Sequence, residues 1–148
     1  SRLMGLFTRL KALDTIHKRG NRSVAIGIGQ ADGFKLLEQF SYTPVCNVRQ
    51  VLPFAFDVSS ANMALTLTDF DITQVDFVEG ATHIALTYGV VLDRSYAGST
   101  LTLEPDTLPS GIGTALCVLG VRFYQEVAGA LYVLNAKDSV GITVLKCL

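Results

Sequence analysis

Residues 114–148, written TALCVLGVRFYQEVAGALYVLNAKDSVGITVLKCL, constrain the fold more than any other stretch of this chain. Ala115, Cys117, Leu119, Val121, Phe123 and Val127 recur at period two, with Arg122, Tyr124 and Glu126 on the alternate positions. That spacing puts one row against a core and the other toward water, as in a half-buried β-strand. Gly129 marks a turn, residues 130–134 a return, residues 135–139 a polar turn, and Val140, Ile142 and Val144 the inward row of a final strand. The chain therefore ends inside an antiparallel sheet.

The middle of the sequence extends the pattern. Phe54, Phe56 and Val58 share one side of residues 50–58, where Pro53 suits a strand start. Met63, Leu65 and Leu67 alternate after a turn at residues 59–62, and Ile84, Leu86, Tyr88, Val90 and Leu92 fall on one face of residues 82–92. Leu101 and Leu103 supply another short strand. About seven strands in a hundred residues predict a sandwich of two antiparallel sheets. The chain has 148 residues, 49% of them hydrophobic, enough for one core of ordinary size. The expected organisation is a β-sandwich over residues 48–148 behind an amino-terminal part, residues 1–47, made of a basic helix, a strand and a connection.

In residues 1–18, Leu3, Leu6, Phe7, Leu10 and Leu13 lie at i, i+3, i+4 and i+7 spacing, flanked by Arg2, Arg9, Lys11 and Lys18. This predicts an amphipathic basic helix, ended by Gly20 and Asn21, with His17 as a packing or capping residue. Val24, Ile26 and Ile28 then alternate as a strand, and a short helix is expected over residues 34–40. The GxGxxxG run at Gly27, Gly29 and Gly33 lacks the spacing of a dinucleotide loop and reads as a turn and flexible connection. The charge is unevenly distributed: residues 1–22 hold six Lys or Arg against one acid, the remainder six against twelve. A basic arm on an acidic body can reach a polyanion, an anionic membrane or a neighbouring copy. The arm has no interleaved aromatic platforms, so nucleic acid is not expected as a partner, and it lacks large interfacial anchors, so membrane contact is not expected.

Residues able to do chemistry are sparse. The only imidazoles are His17 and His83, without GxSxG or HExxH beside them, so no enzyme is expected and no cofactor is called for. Asp69, Asp71, Asp76 and Glu79 alternate with Phe70, Ile72, Val75 and Phe77, a core-and-solvent pattern in preference to a calcium loop. Cys46, Cys117 and Cys147 are an odd number without CxxC spacing, and Cys117 lies on an apolar row, which points to a buried thiol. Tyr124 and Tyr132 are expected to pair across the Gly129 turn.

The strand count and order resemble the immunoglobulin or fibronectin type III class. There is no tryptophan and no cysteine pair at the immunoglobulin positions, so the likeness is one of pattern and carries no function. A second resemblance rests on GVRFYQEVAGALYVL at residues 120–134, EGATHI at 79–84, LLEQF at 36–40 and SRL at 1–3. These are similar to an uncharacterised family of hypothetical proteins from Bacteroidota. The resemblance implies a basic amino-terminal region before a β domain and a further segment ahead of Ser1, and it brings no activity with it.

The function expected from these features is structural: a non-catalytic protein whose copies associate into a homopolymer such as a filament, tube or surface layer. The contact would be made by Leu3, Leu6, Phe7, Leu10 and Leu13 with Arg2, Arg9 and Lys11, because a detached helix cannot bury its stripe alone. The alternative is a carbohydrate- or protein-binding module using residues 69–79 and 96–99. No secretion signal is visible in residues 1–148, and the structural reading places the protein outside the cell or at its surface.

Overall fold

The computed structural model describes residues 1–148. In chain order its elements are α1 (Arg2–Ala12), α2 (Val24–Ile28), α3 (Ala31–Glu38), α4 (Val48–Val51), β1 (Phe56–Val58), β2 (Leu65–Leu67), β3 (His83–Leu86), β4 (Val90–Asp93), β5 (Leu101–Leu103), β6 (Leu116–Val127), β7 (Ala130–Val133) and β8 (Val140–Cys147). No helix is long and apolar enough to cross a membrane.

The strands form two antiparallel sheets, ordered β1-β2-β5 and β4-β3-β6-β7, with β8 also paired to β6. The expected mainly β architecture behind an amino-terminal helix is what the chain adopts. Val58, Leu65, Leu67, Leu101 and Leu103 from the first sheet share one buried cluster with Ile84, Leu86, Leu92, Leu119, Val121 and Phe123 from the second. The predicted inward row of β6 supplies that cluster from Cys117 to Phe123, while Arg122 and Glu126 stay exposed. One margin of β6 holds β3, and the other holds β7 and β8 in succession. Along β4-β3-β6-β7, each seam joins four residue pairs.

The five-stranded sheet is closed on the β8 side by the chain leading out of α3. Tyr42 N–H donates to Ile142 C=O at 2.9 Å, and Val144 N–H donates to Phe40 C=O at 3.1 Å. Ser41 and Thr143 form a bridge and share a 3.0 Å hydroxyl hydrogen bond. The margins at β4 and β7 receive no further strand.

Several local expectations are corrected. Residues 24–28 form a helix, because the Ser23 hydroxyl caps it by accepting from Ile26 N–H at 3.2 Å. The start of residues 50–58 is also helical: Asn47 caps α4 through Arg49 N–H at 3.0 Å, and the strand begins only at Phe56. Residues 82–92 are a hairpin with Gly89 at φ +82°. Its three-residue loop keeps Leu86 and Val90 directly opposite each other, so the alternation passes through the turn unchanged.

In β8 the row facing the core partners of β6 is Gly141 and Thr143, opposite Val121 and Leu119. Ile142 is 40% exposed, so Val140, Ile142 and Val144 are not the inward row. The physical reason is crowding by the segment before α4: a Cβ on Gly141 would lie 2.7 Å from Cys46 Sγ. Thr143 Oγ1 also accepts from Val48 N–H at 3.0 Å. A bulge opposite Cys117 and Val118 then allows both Val144 and Leu145 to be buried.

Candidate self-association surface

The stripe of α1 was the expected contact with a neighbour, and the chain spends most of it on itself. Leu6 and Leu10 are fully buried in a second cluster with Leu37, Phe40 and Cys147, against which Leu3 and Phe7 pack in part. The helix is therefore not detached. Leu13 is half-buried as the helix cap, Arg2 donates to Ser41 C=O and lies over the Phe40 ring, and Arg9 and Lys11 stay exposed.

The glycines of the GxGxxxG run explain how three short helices fit together. A Cβ on Gly27 would lie 1.8 Å from the Leu10 carbonyl oxygen, and one on Gly33 would lie 2.1 Å from the Gly27 carbonyl oxygen. These positions serve close backbone approach between α1, α2 and α3, a role different from the flexible connection expected of them.

The helix ends at Ala12, well before Gly20, because Asp14 draws the following chain back on itself. Its fully buried carboxylate accepts from Ile16 N–H at 2.9 Å, His17 N–H at 3.1 Å, Ser23 N–H at 2.8 Å and His17 Nδ1 at 2.8 Å. Burial is the largest influence on this carboxyl and opposes ionisation. The hydrogen bonds, led by that from Ser23 and then the His17 side chain, together outweigh it and hold the group far below the usual carboxylate range. Since the folded value is the lower one, this stabilisation is present above the ordinary value of 3.8 and is lost as pH falls from there toward the folded value. Amides of residues 14–23 are expected to lose exchange protection below about pH 4. Asp14→Asn should lower the melting temperature at pH 7 and flatten that acid dependence, read by hydrogen exchange against pH.

While the apolar stripe is satisfied, the charge around it is not. Ion pairs are limited to His17 with Asp14 at 2.8 Å and Lys35 with Asp32 at 3.9 Å, so none of the six Lys and Arg residues before Ser23 meets a carboxylate within 4.0 Å. Lys11, Lys18, Arg19 and Arg22 are all exposed, the last three within five residues of sequence.

Sequence reasoning did not single out the exposed apolar strand β7. The β6–β7 hairpin runs past the end of β3, and every residue of β7 is exposed. Val127 is 52% and Tyr132 59% exposed, with Leu131 and Val133 beside them. At the other margin of the same sheet, Val91 of β4 is 51% exposed. The signal was the unbroken run ALYVL at residues 130–134, which alternates with nothing polar and so gives neither face to water. In β7, Tyr132 pairs with Gln125, and Tyr124 pairs with Val133, so the expected Tyr124–Tyr132 pair does not form.

The remaining candidates are engaged within the chain. Tyr96 packs edge-on against Phe70 at 5.7 Å and stands over Gly98, and Asp71 accepts from Thr73 N–H and Oγ1 at 3.0 and 2.7 Å. His83 Nδ1 is 2.8 Å from Thr82 Oγ1. All three cysteines are buried and free, Cys117 as expected. Burial pushes the Cys147 thiol up to about 11, with Glu38 adding to it, and also raises Cys46 and Cys117, so all three are protonated at neutral pH. The chain matches no protein-family model, no curated protein and no solved structure.

Proposed function

We propose that this chain is a non-catalytic structural protein whose copies associate into a homopolymer through the two open margins of the five-stranded sheet. The observation that carries this reading is the pair β4 and β7. They are the outermost strands of a run of four that alternate in direction, so they point opposite ways. A second copy displaced along the sheet brings its β7 antiparallel to β4 of the first, with no two-fold axis needed. Such a contact is heterologous and does not close, so it propagates. Apolar edge strands with unpaired backbone groups favour this addition. The uncompensated basic residues before Ser23 add a salt-sensitive attraction to the acidic remainder of a neighbour. An immunoglobulin-like or fibronectin III-like connectivity belongs to the same proposal, supported by the strand number and the two antiparallel sheets.

The test uses two single variants, Leu131→Lys in β7 and Val91→Lys in β4, followed by light scattering and negative-stain microscopy at low and moderate salt. Wild type should grow with concentration, most readily at low salt, and each variant should need a concentration at least about tenfold higher. Each variant keeps one intact margin, so mixing the two should give dimers and no longer species. A wild-type protein that stays monodisperse and monomeric under all these conditions overturns the reading.

A further inference from the structure

A cavity of about 240 Å³ opens beside α4, between the turn that follows it, β1 and the inner faces of β6 and β8. Its walls include Leu52, Phe54, Phe56, Leu119 and Leu145, and Arg49 supplies its one charged group. Arg49 is pinned: Nη2 donates to the carbonyls of Glu38 at 2.7 Å, Leu145 at 2.8 Å and Val144 at 3.3 Å, and the guanidinium lies 5.2 Å from the Phe56 ring centroid. No carboxylate lies within 4.0 Å of it, so its charge is uncompensated. Nη1 and Nε donate to no atom of the chain, and no buried side-chain nitrogen anywhere is left without a partner, so these N–H groups face space that solvent can enter.

We propose that this cavity binds a small monocarboxylate with an apolar body, its carboxylate accepting from Arg49 Nη1 and its body lying against Leu52, Phe54, Leu119 and Leu145. The charge argues for an anion, and the walls argue against a highly charged one. A phosphate would bring further oxygens into a space whose other lining side chains are hydrocarbon, where those beyond the reach of Arg49 would lose their water without gaining a side-chain donor. A lone guanidinium held in one orientation suits a single carboxylate. Size sets the rest: a cavity of roughly 150 Å³ takes benzene, so this one has room for about ten heavy atoms. The site is distinct from the sheet margins, and its occupancy does not depend on self-association.

Octanoate has the charge and size required, and octan-1-ol is the matched probe without the charge. Titration of the full chain with each, followed by methyl chemical shifts of Leu52, Leu119 and Leu145, should give saturable shifts for octanoate at least about tenfold tighter than for the alcohol. Arg49→Lys should weaken octanoate by about tenfold and leave octan-1-ol unchanged. Leu52→Trp, which fills the space and keeps the guanidinium, should abolish both. Equal affinity for the two probes on wild type, or no saturation by octanoate below about 10 mM, overturns the proposal whatever becomes of the variants.

Discussion

Gly27→Ala is expected to unseat α1 while leaving the two sheets folded. The new methyl would lie 1.8 Å from the Leu10 carbonyl oxygen and 2.6 Å from its carbon. Both are backbone atoms of a packed helix, so no side-chain rotation relieves the clash and the two helices must separate. Overpacking of this kind costs about 1–3 kcal/mol and more where backbone must move. The small cluster around Leu6 and Leu10 is separate from the main core, so the loss should be local. Residue-resolved hydrogen exchange should show α1, α2 and α3 losing protection while β3 and β6 keep theirs. The same variant frees Leu3, Leu6, Phe7 and Leu10, and light scattering should then show stronger association than in wild type. Unchanged protection in α1 would mean that the close approach at Gly27 does not hold the helix in place.

Phe123→Ala should act in the opposite direction, from the sandwich outward. Phe123 is fully buried in β6, paired with Ile84 and tilted against Phe77 at 5.8 Å between ring centroids. Removing a buried phenyl ring costs about 3–5 kcal/mol, a large share of the roughly 5–15 kcal/mol that holds a domain folded. For a chain of this length the melting temperature should fall by roughly 10 °C. The helical layer should be lost in the same transition, because β8, on which it rests through Cys147 and Phe40, is itself held by β6. Urea unfolding followed by far-ultraviolet circular dichroism and by tyrosine fluorescence should therefore give coincident curves. Two separate midpoints would show that the layer stands without the sheet.

The contrast between the two variants also marks where sequence reasoning succeeds. Cys117, Leu119, Val121 and Phe123 were legible because a long strand buries one row over many residues and nothing interrupts the period. Val24, Ile26 and Ile28 misled because five residues are too few to separate a period of two from a short helix. The deciding features were the cap at Ser23 and the backbone crowding at Gly27, and the second of these is a long-range contact. The hairpin at Gly89 was hidden by its three-residue loop, which returns the chain to the same face. The α1 stripe was read correctly as amphipathic, but periodicity does not say whose surface covers it. Here Leu37, Phe40 and Cys147, brought from distant parts of the sequence, do so. Arg49 was missed for the same reason, since its three carbonyl partners come from α3 and β8.

The sheet has a mechanical consequence if copies join at its margins. Tension along such a polymer would pass from β4 through β3 and β6 to β7, across the strands and along their hydrogen bonds. Every seam on that path is four residue pairs long, and β4 and β7 each offer four residues to the next copy. The join between copies would then match the seams inside each one in length. A pull would meet no joint weaker by length than its neighbours, and the three-stranded sheet, off the line of force, would serve to brace the stretched sheet against bending.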